Sequence, residues 1–375
     1  MKFVHVADLH LGKVIYQQNL LPLQVELLEQ IIQYMDTNNV PVLVIAGDVY
    51  DRSIPSSEAV RVLSTFLRRL ILEYHKKVLI ISGNHDSSER LQFASELLQE
   101  NGLYIVSYPQ KEMQPIVIDD VHFYLIPFFK PSYIRYLLGV DCHTYQEAFA
   151  AYLQHQNIDY TKTNVLVTHH FVAGNKEPAT SDSEVILSVG GSEIIDVTLM
   201  ENFDYVALGH LHASQKIKKE TIRYSGSLMK YSFDEVHQKK GIVAVDIKNK
   251  QVTCEVVPLS PSKDLKLYEG SYASFLQEDM IRDKDDLISF ALDDKQVIPN
   301  AIDQLRQIYP NVLQITYPNL YGTPKNTITK ASTTFENLDM KAKYAEFYQN
   351  MTGEAISDDL ETVLQEIIGG MQNVT

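Results

Sequence analysis

Five short apolar runs of strand length each end in a cluster of carboxylates, histidines or amides, and this repeated pairing constrains the chain more than any other feature. Phe3-Val4-His5-Val6-Ala7 leads into Asp8 and His10, and Val42-Leu43-Val44-Ile45-Ala46 leads into Gly47-Asp48 and Asp51. Val78 to Ser82 ends at Gly83-Asn84-His85-Asp86, Asn164 to Thr168 at His169-His170, and Tyr205 to Leu208 at Gly209-His210-Leu211-His212. Runs that are apolar throughout suit strands covered on both faces, and reactive side chains in such sheets gather at the strands' carboxyl ends. One pattern therefore predicts both a sheet and a site.

Between these runs the apolar spacing turns helical. Val25, Leu28, Ile32 and Met35 form one stripe, and Ala59, Leu63, Phe66, Leu67 and Leu70 form another behind a Pro55-Ser56-Ser57 start. Leu91, Ala94, Leu97 and Leu98 predict a third helix, stopped at Asn101-Gly102. β-rich segments at 121–127, 222–225, 241–247 and 252–257 extend the sheet or form a second one against it. The expected fold is α/β, a two-layered β-sheet core flanked by helices.

At 375 residues the chain exceeds one ordinary domain, and Pro258-Leu259-Ser260-Pro261-Ser262 marks the main boundary. We therefore expect domains at 1–260, 261–332 and 333–375. The second is a small α+β unit with a helix near Ala301 to Ile308 and a strand near Val312 to Tyr317. The third reads as a helical hairpin: Phe335, Leu338, Tyr344, Phe347 and Met351, then Ser357 as N-cap, Leu360, Leu364, Ile367 and Ile368, and a Gly369-Gly370 stop.

Cys142 and Cys254 are the only cysteines and lie outside any C-x-x-C pattern, which argues against a disulfide framework or zinc cluster and for a reducing, cytoplasmic setting. No apolar stretch approaches the roughly 20 residues that span a bilayer. A net charge of −15 excludes a protein that coats nucleic acid through a broad basic surface, but not a nuclease whose local field is set by bound cations. Residues 331–375 carry eight acidic side chains against two lysines, so that tail is a poor DNA binder.

Nitrogen and oxygen donors without thiolate suit Mn, Fe or Zn better than Mg or Ca. Two cations about 4 Å apart answer the obstacles to phosphodiester hydrolysis: they activate water, neutralise the phosphate and hold the displacement in line. One carboxylate must bridge them, and Asp48 is the expected bridge. Asp8, His10 and either His210 or His212 would complete one ion. Asn84, either His169 or His170, and the other late histidine would complete the second.

These residues resemble the calcineurin-like metallophosphoesterase signature. Asp8-Leu9-His10-Leu11-Gly12-Lys13, Gly83-Asn84-His85-Asp86-Ser87-Ser88-Glu89-Arg90-Leu91, Ile222-Arg223-Tyr224-Ser225-Gly226-Ser227-Leu228 and Tyr231-Ser232-Phe233-Asp234-Glu235 are further similar to the SbcD family of bacterial nuclease subunits, over about residues 1 to 260. The resemblance implies the metallophosphoesterase fold and a nuclease with two Mn2+ ions, for which Mg2+, Fe or Zn would be substitutes. It also implies 3′-5′ exonuclease and endonuclease action on double-stranded DNA ends and hairpins, with an SbcC-type coiled-coil ATPase as partner and a homodimer within a heterotetramer. Carried over, one ion is held by Asp8, His10, Asp48 and His212 and the other by Asp48, Asn84, His169 and His210, with His169 favoured over His170 by its spacing from Gly174. His85 would protonate the leaving oxygen or stabilise the transition state, and Asp51 would orient His85. The resemblance makes 261–332 a capping domain with a possible DNA contact, and the apolar face of 333–375 a docking surface for the ATPase.

Two readings compete on the same chemistry. A phosphomonoesterase or cyclic-nucleotide phosphodiesterase could use this fold, but would not need the material after residue 260. Lys216, Lys218, Lys219, Arg223, Lys230, Lys239 and Lys240 form the densest basic stretch, either a track for a DNA backbone or a solvated strand face.

Overall fold

The computed structural model describes residues 1–184, 193–277 and 280–321, together with 356, 357 and 360. The chain divides into two compact units, Met1–Leu267 with Asp285–Ser289, and Tyr268–Lys284 with Phe290–Thr375.

All five apolar runs are strands. Lys2–Val6, Val42–Ala46, Lys77–Ile81 and Leu103–Val106 pair in parallel, and the antiparallel strands Gly241–Lys248 and Gln251–Pro258 extend that sheet beyond Lys2–Val6. A second sheet places Val121–Ile126, Thr163–Thr168, Tyr205–Leu208 and Lys219–Tyr224 in parallel, with antiparallel Ile116–Ile118 and Gln215–Ile217 at its edges. Each sheet has six strands. The two-layered β core is thus observed, and the four segments assigned from β-rich composition lie in it.

Side-chain alternation explains why two layers form. Val42, Val44 and Ala46 pack in one cluster with Phe123, Leu125, Val165, Val167, Tyr205 and Ala207 of the opposite sheet, while Leu43 and Ile45 are equally buried on the other face. Each such side chain contributes roughly 1.5–3 kcal/mol by leaving water. Phe3 sits edge-on to both Phe123 and Tyr205, at 5.5 Å between ring centroids. The outer face of the second sheet, with Tyr124, Leu166, Val206 and Ile222, is covered by Ile134, Ala148, Phe149 and Tyr152.

The helix Leu21–Thr37 buries Leu28, Ile32 and Met35 as its spacing predicts, but Val25 is exposed and the stripe runs instead through Leu21, Gln24, Leu27 and Ile31. Ser57–Arg68 starts where expected, with Ser56 Oγ accepting the Ala59 N–H. The third helix is broken. Ala94 has φ +58°, which splits it into Ser88–Gln92 and Ser95–Leu98, and Leu97 is left exposed. Gly102, with φ +87°, stops it as expected.

Toward the C-terminus, Leu265–Gly270, Leu287–Leu292 and Val312–Thr316 form a three-stranded sheet in that order, and short helices span Tyr272–Phe275, Ala301–Arg306 and Pro318–Tyr321. In the second unit Phe290 packs against Phe275 at 4.5 Å and Tyr309 at 5.4 Å. Of the expected hairpin, the Leu360 N–H donates to Ser357 Oγ at 3.4 Å; Phe335, Leu338, Tyr344, Phe347, Met351, Leu364, Ile367, Ile368, Gly369 and Gly370 lie outside the described residues. Among the described residues no helix is long and apolar enough to cross a membrane.

Candidate metal centre

The polar clusters converge at one end of the two sheets because each strand stops in a tight turn. Asp8, His10, Asp48 and His210 all have positive φ, of +53°, +43°, +49° and +106°. Such backbone costs on the order of 1–3 kcal/mol per residue and persists only where the surroundings enforce it. Here the turns enforce each other: the Asp8 N–H donates to Gly47 O and the His10 N–H to Asp48 O, while the His210 N–H donates to the Asp8 carboxylate at 3.1 Å. The clearances are set by glycine. A Cβ on Gly83 would lie 2.1 Å from Asp48 Oδ1, and one on Gly209 would lie 1.9 Å from Ala46 O.

Asp48 stands between two groups of donors. Its Oδ2 is 3.7 Å from His10 Nε2 and 3.3 Å from His169 Nε2, and its Oδ1 accepts the His85 N–H at 2.9 Å. On the first side, His10 Nε2 lies 3.2 Å from His212 Nε2. On the second, Asn84 Oδ1 is 3.1 Å from both His169 Nε2 and His210 Nδ1. The structure brings together Asp8, His10, Asp48, Asn84, His169, His210 and His212, and leaves out His170, the alternative to His169.

The adjacent histidines part as strand alternation requires. His169 donates from Nδ1 to Ala46 O at 2.7 Å and turns Nε2 to the centre. His170 points the other way, beside Thr168 Oγ1 and among Phe128, Phe129 and Phe149. His85 donates from Nδ1 to the main-chain carbonyl of Asp51 at 2.9 Å, which leaves Nε2 3.9 Å from Asp48 Oδ2. Asp51 thus meets the His85 ring, through its main-chain carbonyl rather than its carboxylate. The carboxylate is taken by Lys13 at 2.8 Å and lies 3.8 Å from His10 Nδ1.

Electrostatics suit bound cations. Burial lowers the pKa values of His10, His210 and His212, that of His210 to about 3, so these imidazoles are neutral near pH 7, the form that ligates metal. Burial also opposes a charge on His169, but Asp48 beside it outweighs this and raises it to about 9. That proton would leave on metal binding. Burial pushes Asp8 well above the usual carboxyl range against the pull of His169, whereas the histidines around Asp48 overcome its burial and hold it well below. On the first side, His212 Nδ1 faces the acceptor-only carboxylate of Glu235, so it carries the proton and Nε2 is a lone pair aimed at His10. His10 Nδ1 is buried without a hydrogen-bond partner. The donor set fits divalent cations on both sides of Asp48, with His10 Nε2 and His212 Nε2 facing each other on the first and His169 Nε2 and His210 Nδ1 meeting at Asn84 Oδ1 on the second.

Asp86 stands in the third polar cluster, which assigns it no role, and it proves to be a structural brace. The Asp86 carboxylate accepts the main-chain N–H groups of Val49, Tyr50 and Gly83 at 2.9–3.1 Å and ties two of the strand-end turns together. Asp86→Ala leaves these three donors without their carboxylate and is expected to lower the unfolding free energy by about 2–4 kcal/mol, measured by denaturant titration. Three of the basic residues in the suggested DNA track are interior: Lys240 pairs with Glu235, Lys230 with Asp264, and Arg223 is buried beside Cys254. Lys216, Lys218, Lys219 and Lys239 stay exposed.

Residues 1–214 match the calcineurin-like phosphoesterase family, and residues 261–352 match the type 5 capsule protein repressor C-terminal domain. The SbcD subunit of the SbcCD nuclease from Staphylococcus epidermidis is 37% identical over 367 residues, 95% of each chain, and its counterpart from Staphylococcus saprophyticus is 34% identical over 98% of each. A dimetal phosphatase from Danio rerio aligns with a TM-score of 0.40 at 12% identity, over 69% of this chain and 96% of its own. The family implies a dinuclear metal site, and the chain belongs to the calcineurin-like phosphoesterase family, in the branch formed by the SbcD subunits of SbcCD nucleases.

Proposed function

We propose that the chain is the nuclease subunit of an SbcCD-type complex, cleaving phosphodiester bonds at double-stranded DNA ends and hairpins as a 3′-5′ exonuclease and endonuclease. In this reading Asp8, His10, Asp48 and His212 hold one Mn2+, and Asp48, Asn84, His169 and His210 hold the other. The observation that carries it is Asp48 Oδ2, which lies within 3.7 Å of a histidine nitrogen from each donor group. The relatives' names support a nuclease in an SbcCD complex; ends and hairpins as substrates, the polarity and the subunit count follow from the family resemblance alone.

The ions, when bound, supply charge neutralisation of the phosphate and activation of water. The chain's own residues do the rest. Asp48 fixes the spacing between the two groups, and its Oδ1 locks the turn that carries Asn84 and His85. With Nδ1–H committed to the Asp51 carbonyl, His85 has only Nε2 to offer, and in the imidazolium form that atom hands a proton to the leaving oxygen.

Within this reading, residues 1–260 carry the chemistry, 261–332 cap it and 333–375 dock the SbcC-type ATPase, with the complex a cytoplasmic heterotetramer containing two copies of this chain. The exposed Lys216, Lys218, Lys219 and Lys239 are what remains of the basic track for a DNA backbone. Digestion of an end-labelled hairpin and a blunt duplex with Mn2+, with and without the ATPase, is expected to yield cleavage of both substrates, strongest with the partner. Hydrolysis of phosphate monoesters or cyclic nucleotides alone would overturn the assignment.

A further inference from the structure

The buried carboxylate of Glu235 faces His212 Nδ1 but is no ligand in the two-ion reading, and it is among the most heavily contacted groups near the site. It is wholly buried, it accepts from Lys240 Nζ at 2.6 Å and the Tyr231 N–H at 3.2 Å, and it receives the hydroxyls of Ser181 and Ser183. Its Oε1 lies 3.1 Å from His212 Nδ1. Lys240 reaches round the same histidine, donating to the His212 main-chain carbonyl at 2.8 Å, and also to Ser227 Oγ at 2.8 Å and Gln238 Oε1 at 2.7 Å. The His212 N–H donates to Glu184 Oε1 at 2.6 Å. Ring, carbonyl and amide of one residue are thus each held from outside.

We propose that Glu235, braced by Lys240, is a positioning residue that sets His212 as a metal donor. The carboxylate can only accept, so it fixes the proton on Nδ1 and keeps the Nε2 lone pair turned to His10 Nε2, 3.2 Å away. Without it, Ser183 Oγ, 2.6 Å from Nδ1, could donate or accept, and neither tautomer nor ring angle would be held. A buried anion costs free energy unless paired, and Lys240 is its partner. This explains why a lysine in a basic run of the sequence is buried rather than solvated.

The inference rests on the two-ion reading, and its test separates the two. Mn2+ is titrated into the full chain by calorimetry, electron paramagnetic resonance reports whether bound ions are magnetically coupled across a shared carboxylate, and unfolding in excess chelator reports the fold. The native chain is expected to take up two coupled ions; fewer than two would strike the two-ion reading itself. Glu235→Ala is expected to weaken one of the two sites by about 10–100-fold and to replace the coupled signal by that of isolated Mn2+. In Glu235→Gln the amide oxygen still accepts the Nδ1–H, while Lys240 keeps its three neutral acceptors, so coupling returns with a loss below about tenfold. Native affinity and coupling in Glu235→Ala would overturn the proposal, as would equal losses in both variants. If Glu235→Ala does not fold in chelator, Glu235→Gln decides alone: a retained coupled pair supports the role, and a lost one ends it.

Discussion

Asp48→Ala is expected to abolish the metal centre rather than weaken it. The side chain is buried, its Oδ2 lies within reach of His10 and His169, and its Oδ1 anchors the turn bearing Asn84 and His85. Removing it takes a donor from both ions at once and frees the loop that carries a third ligand. Metal stoichiometry should fall from two toward zero at concentrations that saturate the native chain. Cleavage should drop by at least about 10⁴-fold, roughly 5–6 kcal/mol of barrier. A variant that keeps two ions and a tenth of the rate would remove the shared carboxylate from the account.

His85→Ala should behave in the opposite way toward metal. The ring makes one side-chain hydrogen bond, to the Asp51 carbonyl, and its Nε2 is 3.9 Å from Asp48 without belonging to either donor group. Both ions should stay, and kcat on DNA should fall by about 10²–10⁴-fold with KM little changed. An artificial diester with a nitrophenolate leaving group, which departs without a proton, should lose far less. Equal losses on both substrates would make His85 a binding group, and loss of metal would make it a ligand.

The two sheets and the site are legible in the sequence because both depend on residue type at strand ends. Polar side chains at the carboxyl ends of buried strands stand out by type, so Asp8, Asp48, Asn84 and the histidine pairs are legible as candidates, whereas the choice between His169 and His170 and the division of His210 and His212 between the two groups come from the family resemblance. What is not legible depends on main-chain atoms or burial. The grip on His85 comes from the Asp51 carbonyl, an atom every residue has, so the residue type at that position says nothing of it. Lys230, Arg223 and Lys240 look like surface cations, and only the positions of Asp264, Glu235 and the surrounding strands reveal that they are interior. The break at Ala94 lies in a helical apolar pattern that carries no sign of a left-handed residue. Leu287–Leu292, six buried residues, is a strand that the charged stretches on either side of it obscure.

The two donor groups each draw on both sheets. Asp8, His10, Asp48 and Asn84 follow strands of one layer, whereas His169, His210 and His212 follow strands of the other. Any cation seated there is a rivet through the sandwich. Stripping it would leave the riveted rim as the place where the layers first part, and filling it at a hundredfold excess over Kd would add about 2.7 kcal/mol per site to resistance against unfolding. Metal supply would then govern how long the protein survives as well as how fast it cuts.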